Sequence, residues 1–439
     1  MTLKAVPPAF TLPPIFTAVR NGMKIYVAPR PGLPLVSLHL IFPYGAEADP
    51  PGKAGMADLM AEMLILGTRR HTAAQIASEV DGLGASLSAH AGWDATVLHL
   101  QGLKEDLERL LGLLREMIAE PSFPEEEFAQ LQQRRVAALA QQKDESQIVA
   151  GERFEEILFR GTPYDHPVYG TLKTVPRISR DEVQEFHRRR SLPEGTFWVV
   201  AGNVDPEDCF RRLEANFSVL TPEPLPVIPV NPVPPQGIRV FIIDRPDLTQ
   251  SQIRFGHLGI SPSHPDFCAF EVMNYILGGG GFSSRLMQRI RVELGLTYGI
   301  RSSLDLRRQT GPFAVATFTP TATTFGCVEE SLSILKSFQA QGASKDEKEE
   351  AGQFLRGSYP LKFETLSQVA QRILQAEIYG LGTDFLRDYP ERIAAVGEAD
   401  ILHCAQRHLR PEDLVLVIVG RAEAFRREFE RLGPVEVSK

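Results

Sequence analysis

The strongest constraint on the fold of this 439-residue chain is that its order of structural signals occurs twice. In the first pass, residues 22–29 and 35–42 read as strands joined by a turn at Arg30, Pro31 and Gly32. Residues 53–66 follow as a helix with Met56, Leu59, Met60, Met63 and Leu64 on one face. A second helix spans 71–83, a hairpin 85–100 and a long amphipathic helix 103–118, and another begins at Pro121 with acids in its first turn and runs to about Gln142. Helix 179–190, a buried-type strand at 195–202 and helix 206–217 close the set. After the proline-rich stretch 221–237 the order returns. Residues 238–243 and 253–258 stand for the strands, 267–277 and 284–294 for the first helices, 296–319 for the hairpin and 324–341 for the long helix. Residues 344 onward parallel 121 onward, and 398–409, 414–420 and 422–432 repeat the closing helix, strand and helix. The expectation is an α+β chain of two tandem homologous units, each a mostly antiparallel sheet covered by helices. One domain spans 1–220, a second 238–439, and 221–237 is an extended polyproline spacer.

Composition narrows the function classes. The chain is too long for one ordinary core, and 43% hydrophobic with 23% charged residues is the balance of a soluble globular protein. A net charge of -8 argues against nucleic acid as partner. Cys209, Cys268, Cys327 and Cys404 are far apart without a C-x-x-C, so they read as buried thiols. The prolines near the N-terminus interrupt any signal-peptide core, and no stretch reaches ~18 uninterrupted apolar residues. These features predict a cytoplasmic protein without a membrane segment.

The densest motif is GGGGFSSRLMQRIRVELGLTYGIRSS at 278–303. Leu286, Met287, Ile290 and Leu294 form one helical stripe, Ser283 or Ser284 is placed to cap its start, and Gly295 to end it in a left-handed conformation. Residues 296–303 alternate as a strand, which sets Arg291 in the last helical turn and Tyr298 near the strand's start. A guanidinium and a phenol so placed can hold a peptide carbonyl or a developing oxyanion.

The glycine run, the following SRL and the R-x-x-x-G-L-x-Y spacing resemble the C-terminal half of the pitrilysin/insulinase family of zinc peptidases, which includes the mitochondrial processing peptidase. The resemblance covers residues from about 20 to the end. It implies half of a clamshell-like peptidase chamber, with Arg291 and Tyr298 as the family's substrate-binding pair opposite the zinc and with Gly278, Gly279, Gly280 and Gly281 as a mobile substrate-contacting hinge. It also implies H-x-x-E-H in the N-terminal half. The surrounding Gly45, Glu47, Gly52, Ala54 and MLILGT at 63–68 match the family, but the positions of the two histidines are Gly55 and Leu59 and that of the glutamate is Asp58. The third ligand, a glutamate on the helix after Phe128, has no counterpart between 129 and 144. Zinc needs three or four donor atoms.

The remaining candidates read as bland. Asp58 and Glu62, one turn apart, read as a solvated helix face, and His257, His264, His403 and His408 as core or surface histidines that share no ligand role. The resemblance therefore implies a subunit with no cofactor and no activity of its own, which supplies Arg291 and Tyr298 to a homologous zinc-bearing partner for peptide hydrolysis. The other reading is an inactive scaffold of the same fold.

Overall fold

A computed structural model describes residues 12–218, 223–224 and 228–438. Its twelve strands are β1 (Phe16–Arg20), β2 (Met23–Pro29), β3 (Leu35–Phe42), β4 (Ser86–Ala91), β5 (Thr96–Leu103), β6 (Phe197–Gly202), β7 (Arg239–Asp244), β8 (Gln250–Leu258), β9 (Ile300–Leu304), β10 (Pro312–Pro320), β11 (Val415–Gly420) and β12 (Val435–Ser438). They form two six-stranded sheets, ordered β1-β2-β6-β3-β5-β4 and β12-β7-β11-β8-β10-β9. Five strands correspond one to one between the sheets. Both sheets pair antiparallel except where β6 meets β2, and where β7 meets β11 and β12. The duplicated α+β architecture read from the sequence is the observed one. Only the outermost strand differs, since β1 precedes its neighbour in the chain while β12 comes from the far C-terminal end.

The central strands are buried along nearly their whole length, as β3, β6 and β11 show, because helices cover them. Helix boundaries follow local chemistry. Thr72, Ser179, Ser344 and Thr365 each start a helix with a reciprocal capping box to a Gln or Glu three residues on. Among the described residues no helix is long and apolar enough to cross a membrane.

Two helices cross between the halves. Helix Ser146–Leu158 packs on β8 and β11 of the second sheet, where Phe154 and Leu158 share a buried cluster with Phe241, Val417 and Val419. Helix Leu366–Ile378 packs on β2, β3 and β6 of the first sheet, and its Val369, Ala370 and Ile373 join a cluster containing Tyr26, Ile41 and Val199. Each of these two clusters therefore contains residues from both sides of the proline-rich stretch. Of that stretch, residues 221–222 and 225–227 lie outside the described residues. Glu223 is hydrogen-bonded to Leu192 in the first half, and the buried Val230 donates its N–H to Gln309 Oε1 in the second.

Side chains join the halves as well. Arg307 is fully buried, with its guanidinium 4.2 Å from the Trp93 ring centre, 4.7 Å from Phe159 and 5.0 Å from Tyr164, and 2.5 Å from Glu155. Its neighbour Arg308 donates from its backbone to Asp94 Oδ2 at 2.8 Å and from its guanidinium to the Asp94 carbonyl at 2.7 Å. Glu47 sits by this junction, buried, and accepts the Gly45 N–H at 2.7 Å. Burial, with Asp94 close by, pushes its carboxyl up to about 8. A carboxyl raised above its unfolded value stabilises the fold fully below about pH 4.5, and that contribution is lost as pH climbs to about 8, by up to ~1.4 kcal/mol per pH unit. We expect thermal stability to fall over this window and Glu47→Gln to flatten the fall. An unchanged slope in that variant, measured by calorimetry at pH 5, 6.5 and 8, would show that Glu47 is ionised in the fold.

Candidate functional site

The glycine motif folds differently from its sequence reading. Residues 275–279 and 287–293 are π-helical, and the first segment takes in Gly278 and Gly279. The glycines are required by packing. A Cβ on Gly278 would lie 2.5 Å from the Ser302 nitrogen, one on Gly279 2.8 Å from Asn274 Nδ2, and one on Gly280 2.8 Å from Tyr275. Only Gly281 is open, with φ at +61°. The run is thus a packed seam rather than the expected hinge, and π-turns of this kind recur where a helix is distorted for function. Ser284 does not cap the following helix, since its hydroxyl donates back to the Gly281 carbonyl at 2.7 Å. Gly295 does end it in the left-handed region, with φ +63°.

Arg291 lies half-buried with its guanidinium 4.4 Å from the Phe282 ring centre. Tyr298 is not at the start of a strand, because β9 begins at Ile300; it stands in a bend, 77% exposed. Among the described residues neither side chain makes a hydrogen bond, and none joins the two.

The counterpart of the metal motif is helix Met56–Leu64. Gly55 precedes it at φ +96°, and a Cβ there would meet the Tyr169 carbonyl oxygen at 3.0 Å, so a larger side chain is strained as well as crowded. Asp49 caps the helix by accepting the Gly55 and Ala57 N–H groups, each at 2.7 Å. Leu59 is core. Asp58 and Glu62 are not the solvated face their spacing suggested. Asp58 is 1% exposed, and both carboxylates pair with one guanidinium, that of Arg135 on helix Glu125–Gln142. Arg135 stands 2.5 Å from Asp58 Oδ2 as an ion pair, out of line for a hydrogen bond, while the other oxygen accepts the Ala91 N–H at 3.3 Å. Burial raises the Asp58 carboxyl to about 6 and Arg135 opposes the shift. On the helix where the resemblance puts a third metal ligand there is a permanent cation. Two positions without donor atoms and one aspartate already neutralised do not fit a zinc ion.

The glycine run lines one of two cavities that share wall residues. This cavity, of about 480 Å³, is lined by Gly278, Gly279, Gly281 and Met287 together with Gln147 and Arg254. Gln147 and Arg254 also line a second cavity of about 330 Å³ that extends to Trp93, His166 and Tyr169. Tyr169 in turn lies 4.7 Å from the Arg135 guanidinium. Neither Arg291 nor Tyr298 lines either cavity.

Sequence reasoning passed over His264, Asp266 and His408, whose ligand atoms converge within 4.8 Å. His408 Nε2 lies 2.7 Å from Asp266 Oδ2, and His264 Nδ1 accepts the Asp266 N–H at 3.1 Å. Their separation along the chain hides the pairing; only the packing of helix Glu398–His408 on helix Phe267–Asn274 creates it.

The arrangement has known counterparts. Residues 27–172 match the family model described as "Insulinase (Peptidase family M16)" and residues 177–354 the one described as "Peptidase M16 inactive domain". A protein of Rickettsia bellii named "Uncharacterized zinc protease" is 30% identical over 298 residues, 68% of this chain and 71% of that protein. The chain belongs to the M16 peptidase family. Among other M16 relatives, the "Non-peptidase homolog YmxG" of Helicobacter pylori is 26% identical over 88% of this chain and 89% of its own length. A crystal structure of an M16 inactive domain from Pseudomonas fluorescens superposes with a TM-score of 0.87 at 25% identity, covering 93% of this chain and 98% of that one. A Helicobacter pylori protease structure gives 0.85 at 18% identity, with 93% and 100% coverage, and shows the shared fold. The two M16 models meet between residues 172 and 177, ahead of β6, so the first of them contains the crossing helix Ser146–Leu158.

Proposed function

We propose that this M16 chain is the zinc-free, substrate-binding subunit of a two-subunit peptidase, presenting Arg291 and Tyr298 to the zinc site of a homologous partner. The observation that carries the reading is the contrast between the two motif regions. At Gly55, Asp58 and Leu59 the metal chemistry is closed off by a packed glycine, a core leucine and the Arg135 ion pair. At Arg291 and Tyr298 two donor side chains make no hydrogen bond among the described residues, and Tyr298 is largely exposed. A guanidinium and a phenol held this way suit a peptide carbonyl or an oxyanion. The glycine seam with Gly278, Gly279 and Gly281, which lines the adjoining cleft, suits an extended peptide backbone, while Gly280 serves packing. The second reading, an inactive scaffold, is supported by the likeness to a non-peptidase homologue. It gives no reason for the free Arg and Tyr.

The test is reconstitution with a homologous M16 chain that carries H-x-x-E-H. The expected result is no stoichiometric zinc and no peptide cleavage for this chain alone, a 1:1 complex on size-exclusion, and hydrolysis only in the mixture. One tightly held zinc per chain in the isolated protein, or a partner fully active alone and indifferent to mixing, would overturn the proposal.

A further inference from the structure

In the second sheet, Arg254 on β8 and Arg301 on β9 both pair with Ala316 on the intervening β10. Residues directly opposite across neighbouring strands point to the same face. The three side chains thus form one row, arginine, alanine, arginine, and that row lines the 480 Å³ cavity. Two strand spacings, roughly 10 Å, separate the outer Cα atoms, and the small alanine leaves the space between them clear. Both long side chains can close on one small anion there.

The charges in this row are only partly offset. No Asp or Glu lines this cavity, in a chain whose net charge is -8. The Arg301 side chain makes no ion pair or hydrogen bond among the described residues. Arg254 pairs with Glu155 at 3.7 Å, a carboxylate also engaged with the buried Arg307 at 2.5 Å, while Glu152 and Glu156 line the neighbouring cavity that Arg254 borders. The Arg254 Nε is buried without a partner. Gly151 helps to hold the arginine's place, because a Cβ there would come within 3.3 Å of Arg254 Nη1. Two guanidinium groups on one row repel each other, and a shared carboxylate relieves the repulsion with charge-assisted hydrogen bonds.

We propose that Arg254 and Arg301 form a carboxylate-binding site that fixes one acidic group of a bound peptide, either an Asp or Glu side chain or the C-terminal carboxylate. The site selects which peptides the cleft takes. That peptides are the ligand rests on the function proposed above; that the row binds an anion does not.

Calorimetric titration at low ionic strength tests it with three acetylated hexapeptides of alanine and serine: one amidated and neutral, one with a free C-terminal acid, and one amidated with a central Glu. We expect at least one acidic peptide to bind tenfold or more tighter than the neutral one, and the better of the two identifies the source of the carboxylate. Arg254→Gln with Arg301→Gln should erase the difference, and the double Lys variant, which keeps both charges, should retain part of it. Equal binding of all three peptides to the wild type would overturn the site and leave peptide binding standing. If no peptide binds, sulfate becomes the probe. A sulfate-dependent rise in melting temperature present in the wild type and absent from the Gln variant keeps the anion site and overturns its peptide ligand; equal rises in both proteins overturn the site.

Discussion

Arg291→Ala or Tyr298→Phe should lower turnover of the reconstituted two-subunit peptidase by about 100 to 1000-fold, or ~2.7 to 4 kcal/mol, the usual cost of removing one oxyanion donor. The geometry supports substitutions this clean. Tyr298 is 77% exposed and neither side chain holds an internal hydrogen bond, so fold and complex formation should be untouched. Arg291 loses only its contact with the Phe282 ring, and Tyr298→Phe removes one oxygen. If the donors act in the transition state, kcat and kcat/KM fall together; if they act equally on bound substrate, KM rises alone. Wild-type constants for both variants would leave these residues without a catalytic part and favour the scaffold.

A second large effect concerns assembly. Expressed separately, residues 1–220 and 238–439 should each fail to fold cooperatively, whereas coexpression should restore one compact species. Each fragment lacks the crossing helix that covers its sheet. Without helix Ser146–Leu158 the second sheet exposes Phe241, Ile243, Val417 and Val419, and without helix Leu366–Ile378 the first loses cover over Tyr26, Ile41 and Val199. At ~1.5 to 3 kcal/mol for each large side chain, the loss matches the ~5 to 15 kcal/mol that holds a typical domain together. Arg307 would also lose Trp93, Phe159, Tyr164 and Glu155 at once. A sharp melting transition from residues 238–439 alone would refute this.

The duplication was legible because strands such as β6 and β11 are unbroken apolar runs and the helices between them carry strong apolar faces. Edge strands β1 and β12 were not. Each is short and partly exposed, so neither carries a complete apolar pattern. Helix Ser146–Leu158 was not read from the sequence at all, and its destination could not have been. Periodicity shows that a helix has a face to bury and says nothing about which sheet receives it. The same limit explains the site. The seven-residue spacing of Arg291 and Tyr298 was readable, but the π-helical winding, the late start of β9 and the packing of the glycines against Asn274, Tyr275 and Ser302 leave no mark in local periodicity. Asp58 and Glu62 looked solvated because Arg135, which neutralises them, lies on another helix. His264 and His408 were judged by local spacing although their partner is Asp266.

Arg135 also bears on how the molecule matures. A metal-dependent fold stays unfinished at its centre until an ion is captured, and chelators or scarcity can reverse that last step. Here the positive charge facing Asp58 and Glu62 is covalently part of the chain. It arrives with translation, cannot dissociate, and exchanges with nothing in the surrounding medium. On the zinc-free reading proposed above, this corner of the protein sets itself without a delivery system, and chelators should leave its stability unchanged.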